Sequence, residues 1–315
     1  MTGAIGYVPV GGGGISNQKM ALLGLFLTAL ERRVPMALPD ICNMDQVNRR
    51  YEAVPFASVF DGGAMAACAA RHGVALVPAE AAALARGYDD HFWKAHRIFE
   101  TVLFADRENP VHDAALDLLR SLRARIGGSY LARQLRADIF GACGVAVVAQ
   151  LRVEADWVRH CTDNLLRVHT APEDMLLPFD AIVAKVMRTW PATRAIYAVC
   201  DEPALPVPKT VMRDLCRDRW GVHLLFKSDF LSAFEAQLLA PLHLALLDFE
   251  IALAAPRFVG LTRSTFSNLV TLEKAARTGR PVTDHHVYNK PGPLLAQRTD
   301  NGCHWDPLAA TAAAA

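Results

Sequence analysis

The chain has 315 residues, 52% of them apolar and 21% charged, and a net charge of +1. That length exceeds one small core and makes two domains the starting expectation. The near-zero charge, with no basic run, excludes a broad nucleic-acid-binding face.

The elements follow in chain order. "AIGYVPV" is a buried strand, four glycines follow it, and Gln18 to Arg32 set Met20, Leu23, Phe26, Leu27 and Leu30 at helical spacing. "VPMALP" is a second strand, "VPFASVFDGG" leads to a helix near Ala64 to Arg71, and "GVALVP" is another strand. Alternating strand and helix predicts a parallel sheet covered on both faces. From Asp89 to about Arg136 the pattern is mainly helical. A second alternating block opens at "GVAVVAQLR" and continues through "AIYAVCDEP", a helix near Lys209 to Trp220, and "GVHLLF". Helices are then expected around Ser228 to Leu239 and Pro241 to Ala254, followed by "RFVG" and a helix from about Ser264 to Arg277. The blocks part near residues 137 to 142, so two Rossmann-like domains are expected over 1–138 and 139–306, with a frayed tail at 307–315. Seven scattered cysteines (Cys42, Cys68, Cys143, Cys161, Cys200, Cys216 and Cys303) with no CxxC read as reduced, buried thiols. With no secretory segment at its start and no long apolar span, the sequence reads as cytoplasmic, without a membrane span.

In open α/β sheets ligands bind beyond the carboxyl ends of the strands. Those ends carry Gly11 to Asn17, Arg152 to Asp156, Asp201-Glu202 and Gly260 to Ser264. A tight strand-to-helix turn accounts for the glycines by itself; close approach of a ligand to the backbone is the other reading. The loop lacks the GK[ST] ending of a P-loop, and Gly11, Gly13 and Ser16 do not complete GxGxxG, which disfavours a nicotinamide-binding oxidoreductase. A guanidinium at Arg152, ending an apolar strand, is costly unless an anion meets it. That anion is either Glu154, Asp156 or Asp201 of the chain itself, or a bound diphosphate. Ser264 and Thr265 stand where a helix begins, either as a plain cap or, with Arg263, as an anion site. His285-His286 and Cys303-His304 lack the spacing of a ligand set, so no metal is expected. There is no GxSxG elbow and no cysteine-nucleophile signature.

Taken together and in this order, these segments resemble the GDP-fucose protein O-fucosyltransferase family. "GGGGISNQKMALLGLFLTALERRVPMALP" is similar to that family's glycine loop with its Asn-Gln pair, and "VPFASVFD" to the segment after it. "QLRVEADWVRHC" resembles its His-Leu-Arg strand end, and "LLDFEIALAAPRFVGLTRSTFSNLVTLEKAARTG" its stretch with Ser-Thr-Phe-Ser before the last helix. The likeness spans most of residues 4 to 280. It implies an α/β, GT-B-like fold of two Rossmann-like domains facing a central cleft. The N-terminal domain would take the acceptor side and the C-terminal domain the donor. It implies GDP-fucose as donor substrate, with no metal or other cofactor. Asn17 would meet the sugar, with Gly12, Gly13 and Gly14 making room, and Arg152 would hold the diphosphate. Ser264, Thr265 and Phe266, beside Arg263, would line the phosphate and nucleoside, and Asp248 would recognise guanine. Two departures stand out: Gln150 replaces the family's His, and Pro256 replaces an acidic residue. The glycine loop holds no carboxylate, so Glu154 or Asp156 is left as general base. The expected activity is inverting transfer of fucose to a hydroxyl, on Ser/Thr of a protein or on a glycan or glycolipid. A non-catalytic nucleotide-sugar-binding protein is the alternative. Expected partners are a GDP-sugar donor and a protein or glycan acceptor, with no nucleic acid.

Overall fold

The computed structural model describes residues 3–9, 13–45, 50–101, 110–166, 173–279 and 282–298. The described residues form two compact units, one within 1–130, 239–247 and 272–281, the other within 131–238, 248–271 and 282–298.

The first unit contains strands β1 (Ala4–Val8), β2 (Met36–Ala37), β3 (Ile41–Asp45), β4 (Arg50–Val54), β5 (Leu76–Val77) and β6 (Ala82–Arg86). β5, β2, β1 and β6 lie in that order in one parallel sheet, while β3 and β4 form a separate antiparallel pair. The expected helix after the glycines is present as Ile15–Arg32 and is buried over most of its length. A helix segment enclosed on every side needs no polar face, which is why the stretch Met20–Leu27 is free of polar side chains. At Gly24 an added Cβ would lie 1.7 Å from the His91 carbonyl oxygen, so the helix Asp89–Thr101 crosses here backbone to backbone. The ammonium of Lys19, one turn into the helix, is buried against the Glu273 carboxylate, which also accepts from Arg277 at 2.6 Å. Burying Lys19 is tolerable only because that partner is present.

The second unit contains β7 (Val147–Gln150), β8 (Ala195–Val199), β9 (His223–Phe226), β10 (Phe258–Gly260), β11 (His285–Val287) and β12 (Ala296–Gln297). They are ordered β12-β11-β10-β7-β8-β9, all parallel except β12. Counted within the unit this is the 3-2-1-4-5-6 order of dinucleotide-binding sheets, reversing between β7 and β10. β7 and β8 are buried on both faces, which produces their unbroken apolar runs. The helix Lys209–Trp220 is present, closed by Gly221 in the left-handed conformation that glycine tolerates. The helix expected over Ser228 to Leu239 is instead a 3-10 turn at Lys227–Asp229 and a short helix at Ala233–Leu238. Asp229 accepts from the Phe226 N–H and closes that turn. An unforeseen helix, Phe179–Thr189, buries Ile182, Val183 and Val186.

The six described cysteines are free, with only Cys143 exposed; Cys303 and His304, like the tail at 307–315, lie outside the described residues. Among the described residues no helix is long and apolar enough to cross a membrane.

Candidate functional site

In the second unit the strand order reverses between β7 and β10, and their carboxyl ends carry Gln150 to Arg152 and Leu261 to Ser264. Ser267, in the helix Thr265–Thr278, ties these ends together. Its hydroxyl donates to Gln150 Oε1 at 2.5 Å and accepts the Leu261 N–H at 3.1 Å. A Cβ on Gly260 would come within 2.0 Å of that hydroxyl, so glycine is required by close approach. Ser264 acts as the helix cap: its Oγ faces the Ser267 N–H at 3.4 Å, a long contact, and its carbonyl accepts from the Asn268 N–H at 3.0 Å. Capping does not remove the positive end of the helix beside it.

Arg152 is engaged by the chain's own carboxylates. Nη1 donates to Glu154 and Asp156 at 3.0 Å each, and Nη2 to Asp156 at 2.6 Å. Burial opposes its charge, but the two carboxylates outweigh that and hold the guanidinium above its ordinary pKa. The carboxylates differ in accessibility. Glu154 is only 2% exposed, and its other oxygen accepts the Asp201 N–H at 3.0 Å. The Asp156 side chain is 41% exposed. An incoming anion can therefore exchange with Asp156 far more easily than with Glu154. Burial, reinforced by neighbouring Glu154, raises the pKa of Asp201.

A second cationic group stands after β10. Thr262 Oγ1 donates to Glu173 at 2.9 Å, Lys290 pairs with the same carboxylate, and Arg263 Nε lies 3.9 Å from it. Burial alone would raise the Glu173 pKa, but these partners together hold it below the ordinary glutamate value. Phe266 packs edge-on against Phe249 at 5.4 Å, and Thr265 opens the helix beside it.

Asp248 is enclosed. Oδ1 accepts from Tyr197 at 2.8 Å and Oδ2 from Lys227 at 2.5 Å, and both charged residues are buried. The buried Lys227 ammonium stays charged because Asp248 faces it, against the cost of burial. A guanine edge would have to displace one of these donors to be read by Asp248.

The sheet of the first unit reverses between β1 and β6, whose ends carry the glycine loop and Gly87-Tyr88. Gly12 lies outside the described residues, while Gly14 takes the cap position of the helix Ile15–Arg32 with φ −57° and ψ 169°. Gln18 is buried and ties Gly13 to Cys42. Its Nε2 donates to the carbonyls of Gly13 at 3.2 Å and Cys42 at 2.9 Å, and its Oε1 accepts the Cys42 N–H at 2.7 Å. Asn17 is half-buried and hydrogen-bonded to Tyr88. A Cβ on Gly13 would lie 1.9 Å from the Tyr88 hydroxyl, so the glycine makes room for a side chain of the protein itself.

The sequence reading thus named Gln150, Arg152, Glu154, Asp156, Arg263, Ser264, Thr265 and Phe266 near one switch point and left Ser267, Lys290, Lys227, Tyr197 and Tyr88 unmarked. Asking what neutralises a buried Asp248 would have led to Lys227. Among the described residues, Cys68, His72 and Asp117 could gather about an ion, their ligand atoms lying within 4.8 Å of one another. Asp117 Oδ2 already accepts from His72 at 3.0 Å and Arg71 at 2.9 Å, so this trio is satisfied as a hydrogen-bonded network.

Two units, each built on a mainly parallel sheet whose strand order reverses once, give the GT-B type of α/β fold. Among solved structures, POFUT1 in complex with GDP is similar in fold, with TM-score 0.57 and 14% identity over 90% of this chain and 97% of that one. POFUT1 in complex with GDP-fucose gives TM-score 0.56 and 13% identity over 92% and 98%. No protein-family model and no curated protein sequence matches the chain.

Proposed function

We propose that the chain is an inverting glycosyltransferase that moves fucose from GDP-fucose to a hydroxyl acceptor, without a metal ion. The observation that carries this reading is the pairing of Arg152 with the amino end of the helix Thr265–Thr278 at the β7/β10 switch point. Both supply positive charge, and a departing diphosphate requires it. The likeness to POFUT1 structures holding GDP and GDP-fucose supports the donor class.

In this reading the acceptor oxygen attacks the anomeric carbon as its bond to the diphosphate oxygen breaks, and the electron pair leaves with GDP. Phosphate takes the place of Asp156 on the Arg152 guanidinium, while Glu154 keeps the arginine in place through its tie to Asp201. The released Asp156 carboxylate is then the group available to take the acceptor's proton. Glu154 is too enclosed for that role. Asn17 orients the sugar, and the acceptor hydroxyl belongs to Ser or Thr of a protein. A nucleotide-sugar-binding protein without turnover is the second reading, favoured by the full occupation of the Arg152 fork and by Gln150.

Release of GDP from GDP-fucose, read beside a thermal-shift panel of GDP, UDP, ADP and NAD, separates the two. A bound nucleotide raises Tm by mass action. GDP binding with slow donor breakdown is expected of the enzyme; GDP binding with no breakdown points to the binding protein, and no response to GDP overturns both.

A further inference from the structure

We infer that Tyr88 is a positioning residue of this site, holding the Asn17 carboxamide through its hydroxyl, and that Gly13 is glycine to admit that hydroxyl. The inference rests on the reading that Asn17 meets the donor sugar.

Three observations converge. First, topology brings the residues together: β6 lies beside β1, so the turn at Gly87-Tyr88 and the glycine loop leave adjacent strand ends at the switch point. Gly87, at φ +86°, makes a turn that side chains resist, and its N–H donates to the Val8 carbonyl at 3.1 Å. Second, the point where a Cβ of residue 13 would sit is 1.9 Å from Tyr88 Oη and 3.1 Å from Asn17 Nδ2. The phenol oxygen and the carboxamide nitrogen thus share the space that glycine leaves, and Asn17 hydrogen-bonds the phenol. Third, the tyrosine ring is not free to follow its hydroxyl. Tyr88 is 9% exposed, with Tyr7 edge-on at 6.1 Å and Phe92 tilted against it at 5.8 Å.

The causal order runs from packing to polar group. The rings fix Tyr88, and Tyr88 in turn holds the Asn17 carboxamide. A carboxamide lacking that partner samples several rotamers, and a reaction that needs one of them slows in proportion. Gln18, next in sequence, is held by Cys42 and Gly13, so the helix start is fixed from one side while Tyr88 fixes Asn17 from the other.

The test uses full-length protein carrying Tyr88→Phe, Asn17→Ala, or both, and measures steady-state GDP release from GDP-fucose, the Kd for GDP by calorimetry, and Tm. Phenylalanine keeps the ring and loses only the hydroxyl. Tyr88→Phe should lower kcat about tenfold, the scale of one lost hydrogen bond, with the GDP Kd within about twofold. On the Asn17→Ala background the same change should alter kcat by less than about twofold, since nothing remains to be positioned. Gly13→Ala should reproduce the kcat loss by evicting the hydroxyl. Effects that multiply in the double variant, a Tyr88→Phe chain with wild-type kcat, or an Asn17→Ala chain with wild-type kcat would each overturn the assignment. If the wild-type chain neither binds GDP nor releases it from the donor, the proposed function falls first and the role of Tyr88 with it. An active wild-type chain indifferent to Tyr88→Phe removes Tyr88 alone.

Discussion

Removing Arg152 disturbs stability and turnover by different routes, and the structure allows both to be estimated. In Arg152→Ala, Glu154 loses its cation but keeps the Asp201 N–H, while Asp156, 41% exposed, returns to water. Breaking a fully buried pair costs about 3–5 kcal/mol. The retained N–H and the ease of hydrating Asp156 reduce this to about 2–3 kcal/mol. Arg152→Ala with Glu154→Gln removes the stranded charge and should recover about half of the loss, because a neutral amide is cheaper to leave buried. Turnover is expected to behave otherwise, falling at least about a hundredfold in both variants, since charge on the leaving diphosphate remains uncompensated. Arg152→Lys should rescue little, because an ammonium lacks the planar fork. The assay is equilibrium denaturation in urea beside GDP release, on the same preparations. If turnover returns with stability in the double variant, Arg152 is structural and the phosphate chemistry has been assigned to the wrong group.

Gly260→Ala should cost about 1–3 kcal/mol by overpacking against Ser267, read as a lower urea midpoint with the slope unchanged. Asp248→Asn leaves the Lys227 ammonium facing a neutral amide and should cost about 3–5 kcal/mol; a collapse of GDP-over-UDP preference in calorimetry, with stability intact, would restore Asp248 as a base reader. Glu173 has a depressed folded-state pKa, so its stabilisation is complete above the ordinary glutamate value near about 4.3 and is lost as pH falls through the lower folded value. Glu173→Gln should therefore flatten the Tm-against-pH curve on the acid side. With Arg152 and a helix end in the proposed role of supplying the positive charge, donor turnover should survive excess chelator; activity that vanishes and returns with manganese would contradict that role.

How much was legible depended on burial. β7 and β8, enclosed on both faces, announce themselves as apolar runs, and the helix Ile15–Arg32 does so through its long apolar stretch from Met20 to Leu27. β6, "AALAR", is largely exposed, and the β3–β4 hairpin is rich in polar residues, so neither gives a period to read. Missing β6 hid Tyr88, because nothing else marks that tyrosine as standing at a strand end. The strand-end rule found Arg152 and Ser264 without any motif, since polar residues interrupting an apolar run are visible locally. Ser267 and Lys227 were not visible in that way: each matters through a partner 117 or 21 residues distant. At Gly13 the group that stands where a Cβ would sit is the Tyr88 hydroxyl, a neighbour that the glycine run by itself does not name.

The Lys19–Glu273 pair bears on how the gene can be divided. A fragment ending at residue 138, the boundary suggested by sequence pattern, would carry Lys19 and lack Glu273. Residues 239–247 and 272–281 also belong to the first unit, so no single cut isolates it. The helix Ile15–Arg32 therefore finds the partner of its buried ammonium only after more than two hundred further residues have been made, so its packing cannot be completed while the chain is still short.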